Sequence, residues 1–179
     1  MAEFLWIFWS FSLLGWVLER LFAAVTRSSR RRRRCLLLLP LCPVYGLGMA
    51  AVLALPPSLR SGWPLYIWGC LTATAVEYIY HWWGETFLGM SFWDYTGVFG
   101  NLRGRVCLPF SLTWGLLLFP AVYLVTPPVL ALADRVPVGV TWWMLLAFTA
   151  DAVCSLRFLA VTHDLEAMRA AVWPVSGDR

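Results

Sequence analysis

Apolar residues fall in five long runs, separated by short polar stretches. The runs are Phe4–Val25, Leu36–Leu55, Trp63–Trp83, Leu108–Val125 and Val138–Val161. A helix needs about 20 apolar residues to cross a bilayer, so each run predicts a membrane span or something close to one. The first does not read as a signal peptide: its charges follow the apolar run instead of preceding it, and the run is too long for a leader. "PP" (Pro56, Pro57) is expected to end the second run and "TPP" (Thr126 to Pro128) the fourth. The second run begins "CLLLLPLCPVYGLG", with Pro40 and Pro43, so its first part is expected either as helix or as a broken, re-entrant segment.

Composition supports a membrane protein. Only 13% of the 179 residues are charged and 60% are hydrophobic, whereas a soluble domain carries about 25% charged residues. Mean hydropathy is +0.69. The expectation is an all-α, polytopic bundle of about five transmembrane helices, one integral domain over residues 1–179, in the cell (inner) membrane. Arginine placement orients it. With the run from Arg27 to Arg34 in the cytoplasm, ten arginines fall inside (Arg27, Arg30 to Arg34, Arg103, Arg105, Arg169, Arg179) and two outside (Arg60, Arg135). The N-terminus is then outside, the C-terminus inside, and the polar loop 84–107 cytoplasmic. Arg27–Arg34 is expected to meet anionic lipid headgroups rather than nucleic acid, since it directly follows a span. The cysteines (Cys35, Cys42, Cys70, Cys107, Cys154) show no CxxC and no zinc spacing, and read as small buried hydrophobes.

Charges inside spans are costly and point to function. Glu19 and Arg20 lie in the first run, Glu77 and His81 in the third, and Asp151 and Arg157 in the fifth. Glu77, His81 and Glu85 are spaced i, i+4, i+8, which puts them on one helix face. A cation site or proton relay would use that stripe. Equally, the acids could pair with Arg20, Arg103 or Arg105 and only fix the bundle. His81, near the headgroups, is expected to face water. Gly15, one turn before Glu19, allows close helix approach. Asp151 has Ser155 on its i+4 side.

Several strings together resemble one family. They are "FSLLGWVLE" (Phe11–Glu19), "CPVYGLG" (Cys42–Gly48), "EYIYHWWGE" (Glu77–Glu85), "WDY" (Trp93–Tyr95), then Asn101 and "GRVCL" (Gly104–Leu108). They resemble bacterial membrane proteins called putative ABC-transporter permeases of the CmpB type. The carried positions are Gly15, Trp16, Glu19, Cys42, Pro43, Tyr45, Gly46, Glu77, Tyr78, Glu85, Trp93, Asp94, Tyr95, Asn101, Gly104 and Arg105, with Asp151 a looser match. "RRCLLLLP" departs from the family's N-R-G-F-L-x-G-P by losing its glycines and asparagine, and His81 and Arg103 stand outside the pattern.

The resemblance implies a membrane transport subunit. The chain has no G-x-x-x-x-G-K-[ST], so any ATPase would be a separate ATP-binding subunit. Five spans are few for a pathway, which implies a homo-oligomer. Glu19, Glu77 and Asp151 are expected to line a polar cavity, with Glu85, Asp94, Asn101 and Arg105 near its inner mouth. No cofactor, metal site or catalytic residue is expected. An alternative is an intramembrane enzyme acting on a lipid or isoprenoid headgroup, with Glu77, Glu85 and Asp94 as its carboxylates and Arg105 on a phosphate. A scaffold without a pathway is the third reading.

Overall fold

A computed structural model describes residues 1–26, 35–165 and 167–168. Arg27–Arg34, Arg169 and Arg179, on which much of the orientation argument rests, lie outside the described residues. The described residues form five helices: α1 (Ala2–Thr26), α2 (Pro43–Leu53), α3 (Gly62–Phe87), α4 (Leu108–Ala133) and α5 (Val138–Thr162). They contain no strand, only one isolated bridge between Leu102 and Val106.

Three helices, α1, α4 and α5, are long and apolar enough to cross a membrane. Helix α3 is as long, but its tryptophans, tyrosines and acids keep it out of that class. Of the two forms expected for the start of the second run, the structure has the broken one. Only Pro43–Leu53 is helical, 11 residues, or about 16 Å at 1.5 Å per residue, well short of a hydrocarbon core of about 30 Å. Residues 36–40 form a series of bends. Pro43 stands at the first turn of α2, where the missing N–H costs nothing.

Side-chain contacts fix the directions of the helices. Trp6 donates to Thr141 (3.1 Å) and Phe8 meets Phe148, so α1 and α5 run parallel. Trp114 reaches Glu77, and Tyr123 reaches the Arg60 carbonyl, so α3 and α4 are antiparallel. The Cys42 N–H bonds the Ser12 carbonyl at mid-α1 (2.9 Å), while Met49 and Val52 share a buried cluster with Ile7 and Phe11. Helix α2 therefore runs back along the N-terminal half of α1. His163, the left-handed cap of α5, bonds the Leu88 carbonyl just past α3 (2.6 Å), which brings those two C-terminal ends together.

The fourth span is also longer than expected. "TPP" does not end α4; the helix continues to Ala133 through a π-turn at Ala121–Val125. Pro127 and Pro128 bring no N–H to the carbonyls of Tyr123 and Leu124, and a widened turn accommodates the loss. The Thr126 hydroxyl adds a bond to the Ala121 carbonyl at 2.8 Å.

Candidate functional site: an acid beneath an apolar groove

Two glycines seat α2 on α1. A Cβ on Gly15 would come within 2.2 Å of the Tyr45 ring, and one on Gly46 within 2.3 Å of the Phe8 carbonyl. Only hydrogen fits at these crossings. With its ring lying over Gly15, Tyr45 donates its hydroxyl to Glu19 one turn on. The spacing of "GWVLE" therefore makes a seat for the tyrosine of "CPVYG". Trp16 packs its ring under the Arg20 guanidinium, 5.3 Å away.

The edge of Tyr45 meets Trp114 of α4 (5.4 Å, 86°). The Trp114 indole N–H donates to Glu77 Oε2 at 2.8 Å, and the Tyr95 hydroxyl donates to Oε1 at 3.2 Å. Glu77 is 2% exposed. Each carboxylate oxygen thus has a side-chain donor from a different part of the chain. Above lies a groove of about 380 Å³, walled by Leu14, Leu18, Val44, Leu117 and Val125 of three helices, with Glu77 and Trp114 also in its lining.

Asp151 is elsewhere. Its two oxygens accept the backbone N–H groups of Leu38 (3.2 Å) and Leu39 (3.1 Å), and Ser155 adds a bond at 3.1 Å. The carboxylate serves the bent segment ahead of α2, whose N–H groups make no helix. The structure does not gather Glu19, Glu77 and Asp151 around one cavity: Glu77 lines the groove, Glu19 holds Tyr45, and Asp151 holds backbone.

The string Ser91–Leu108 is a knot tied by its own polar residues. Arg103 and Gly104 both have positive φ (53° and 70°), and the Arg105 N–H bonds the Leu102 carbonyl, which makes a type I′ turn. Asn101 accepts the Gly104 N–H (3.2 Å) and donates to Val98. Asp94 accepts the Thr96 N–H (2.8 Å). Trp93 donates to the Arg105 carbonyl (2.7 Å). Asp94 and Asn101 are exposed and close local turns. The Thr96 hydroxyl first, and its N–H second, hold the Asp94 carboxyl below the usual aspartate range.

Arg105 fastens the knot to α3. Its Nε donates to Glu85 (2.7 Å) and its Nη1 to the Tyr78 hydroxyl (2.8 Å). Burial works against its charge, but the bonds to Glu85 and Tyr78 outweigh that and raise its pKa. Arg105 is thus already engaged by Glu85 and Tyr78, whereas the enzyme alternative would have it hold a phosphate. Among the described residues no group of three His, Cys, Asp or Glu gathers.

His81 is buried, not water-facing, at 1% exposure. Its ring stacks on Trp93 (4.8 Å), and Nε2 lies 3.1 Å from the Ser91 hydroxyl. Ser91 gives its one hydrogen to the Trp93 carbonyl (2.8 Å), so Nε2 is the donor to Ser91. Nδ1 then faces Glu85 at 3.9 Å. Sequence reasoning missed Trp114. A tryptophan within an apolar span that also carries Phe110, Phe119 and Tyr123 has no local signature of this role.

Neither the comparison with curated proteins nor the comparison with solved structures gave a match. One family model does match, "Putative ABC-transporter type IV", over residues 6–156. That range takes in α1 through most of α5, including Glu77, Tyr95 and Trp114 and the knot above α3. The chain belongs to this family of membrane transporter-like proteins.

Proposed function

We propose that this chain is the membrane-spanning subunit of a transporter and that Glu77 is its intramembrane site for a cation or a cationic group. The observation that carries the reading is a carboxylate held between Tyr95 and Trp114 in the floor of an apolar groove. Donors from α4 and the loop fix the position of both carboxyl oxygens. The groove walls exclude water and strengthen its attraction for a positive group. A bound cation would draw on Glu77, and any shift of Trp114 or Tyr95 would pass the change to α4 or the loop.

The rest of the reading concerns topology and partners. The N-terminus is outside and the C-terminus inside. The segment from residue 35 to Leu53 makes the second crossing, half bent backbone and half helix, giving five crossings in all. Irregular backbone at membrane depth is tolerated where protein buries it, and broken helices recur at transporter sites. A separate ATP-binding subunit docks on the cytoplasmic loop 84–107, Arg27–Arg34 meets anionic lipid, and the chain works as a homo-oligomer. Glu85, Asp94, Asn101 and Arg105 then act as the fold of the docking loop rather than as pathway groups.

The test uses dicyclohexylcarbodiimide, a hydrophobic reagent that reaches carboxyl groups from the lipid phase. It adds to the acid form, the proton passing to the carbodiimide nitrogen, so it is applied over a range of pH down to mildly acidic. In proteoliposomes it should modify Glu77, with tetraphenylphosphonium protecting and Glu77→Gln abolishing the reaction. Modification that ignores the organic cation, or none at Glu77, sinks the site. Orientation is tested separately. A Ser91→Cys variant should react with a membrane-impermeant maleimide from the cytoplasmic side alone, and labelling from outside overturns the assignment.

A further inference from the structure

The bent segment ahead of α2 begins and ends at a cysteine. Cys35 Sγ lies 2.8 Å from Cys42 Sγ, inside ordinary van der Waals contact, and both residues are 4% exposed. The two sulfurs are fixed from different sides. Cys42 is the N-cap of α2 and its N–H is tied to Ser12 of α1. Cys35 is packed in a cluster with Trp93, Leu159 and Leu165. Asp151 holds Leu38 and Leu39 between them, so the segment is already folded back on itself. Bringing two thiols together is the entropic part of forming a disulfide, and here the fold has already done it.

We propose that Cys35 and Cys42 are a redox-active dithiol that closes to a disulfide at the expense of a membrane-soluble quinone. Two S–H bonds break and one S–S bond forms; the quinone takes both hydrogens and both electrons and becomes the quinol. The closed loop is short, and such loops gain less from closure than long ones, which suits a bond that reopens. In the topology proposed above this segment lies in the cytoplasmic half, where disulfides serve as reversible signals more than as permanent braces. Closure pins the start of α2, three residues before Tyr45. It thereby fixes the ring that rests on Gly15 and meets Trp114, the indole that holds Glu77. Cys42 belongs to the "CPVYG" motif, but Cys35 stands in the stretch that departs from the family pattern.

The full-length protein in membranes is treated with duroquinone, whose methylated ring resists thiol addition, then alkylated and digested. The expected result is a Cys35–Cys42 linked peptide, duroquinol formed in equal amount, and recovery of both thiols with dithiothreitol. Cys35→Ser and Cys42→Ser should each abolish the linkage, and Cys107→Ser, in the same buried cluster, should leave it intact. Complete alkylation of both cysteines after quinone treatment overturns the proposal. So does linkage to Cys107, or quinol formation that survives Cys35→Ser. None of these outcomes touches the carbodiimide reaction at Glu77, so the two proposals fail independently.

Discussion

Two regions of this bundle hold an acid within a helix, one buried and one half-buried, and they use it in opposite ways. Glu77 takes its hydrogen bonds from side chains, Trp114 and Tyr95, on elements that pack around it. Asp151 takes two of its bonds from backbone, the N–H groups of Leu38 and Leu39. With no helix to take them, the N–H groups of half-buried Leu38 and exposed Leu39 find their partner in the Asp151 carboxylate, which therefore orders the bent segment. Indole and phenol groups can be re-aimed by small shifts of their elements. On the function proposed above, the acid between them is the one that answers a ligand. The rule that intramembrane acids mark function picks out both residues and does not separate them. The identity of their donors does.

The largest expected effect follows on the structural side. Asp151→Ala removes the partner of two backbone N–H groups and of the Ser155 hydroxyl, at about 0.5–1.5 kcal/mol for each bond lost. A marked drop in detergent Tm and in membrane yield should result, with Asp151→Asn recovering part of the loss because its carbonyl still accepts. An unchanged Tm in Asp151→Ala would show that the bent segment does not depend on the carboxylate.

Next is the seat of Tyr45. Gly15→Ala places a methyl 2.2 Å from the ring, and overpacking of this kind costs about 1–3 kcal/mol. Tyr45→Phe keeps the ring and loses only the bond to Glu19, about 0.5–1.5 kcal/mol. Thermal unfolding of both variants gives the order, Gly15→Ala below Tyr45→Phe below the parent. The reverse order would mean that the hydroxyl, not the close approach, joins α1 to α2.

Glu77→Gln should be milder still for stability, under about 1 kcal/mol. The amide oxygen can keep the fixed Trp114 N–H, and the rotatable Tyr95 hydroxyl can turn to accept from the amide nitrogen. Carbodiimide reaction and transport should nonetheless be lost. If Glu77→Gln is lost from the membrane as Asp151→Ala is, the contrast between the two acids collapses and both are structural.

Much of this arrangement was legible from residue order. The period of the apolar runs located α1, α3 and α5 closely, and the i, i+4, i+8 spacing put Glu77, His81 and Glu85 on one face. One error and one open choice share a cause. Proline predicts a terminator after Val125, where a π-turn carries α4 on. Over Leu36–Leu39 residue order leaves helix and broken segment both open, and a distant carboxylate decides for bent backbone. Both depend on partners far along the chain. The same holds for the site. Glu77 stood out as a charge, but that Trp114 serves it, that Asp151 does not join it, and that Cys35 touches Cys42 are facts of packing with no local signature.

The smallest effect concerns an acid outside the apolar layer, where the contrast should vanish. Asp94 is exposed and closes a turn of the loop, and its bonds to the Thr96 hydroxyl and N–H depress its pKa. A carboxyl whose folded pKa lies below its unfolded value stabilises fully above the unfolded value, about 3.9. That contribution is lost as pH falls through the lowered folded value. Amide exchange at Thr96 should therefore lose protection only on acidification below that point. Asp94→Asn should show weaker protection with no acid limb, since its carbonyl accepts the same bond without charge. Water screens this group as it does not screen Glu77, so the change should stay within the turn and leave the detergent Tm where it was. If acidification instead released Arg105 from Glu85 and lowered the Tm, the loop knot and the bundle would be one cooperative unit. Position relative to the apolar layer would then no longer sort the acids by role.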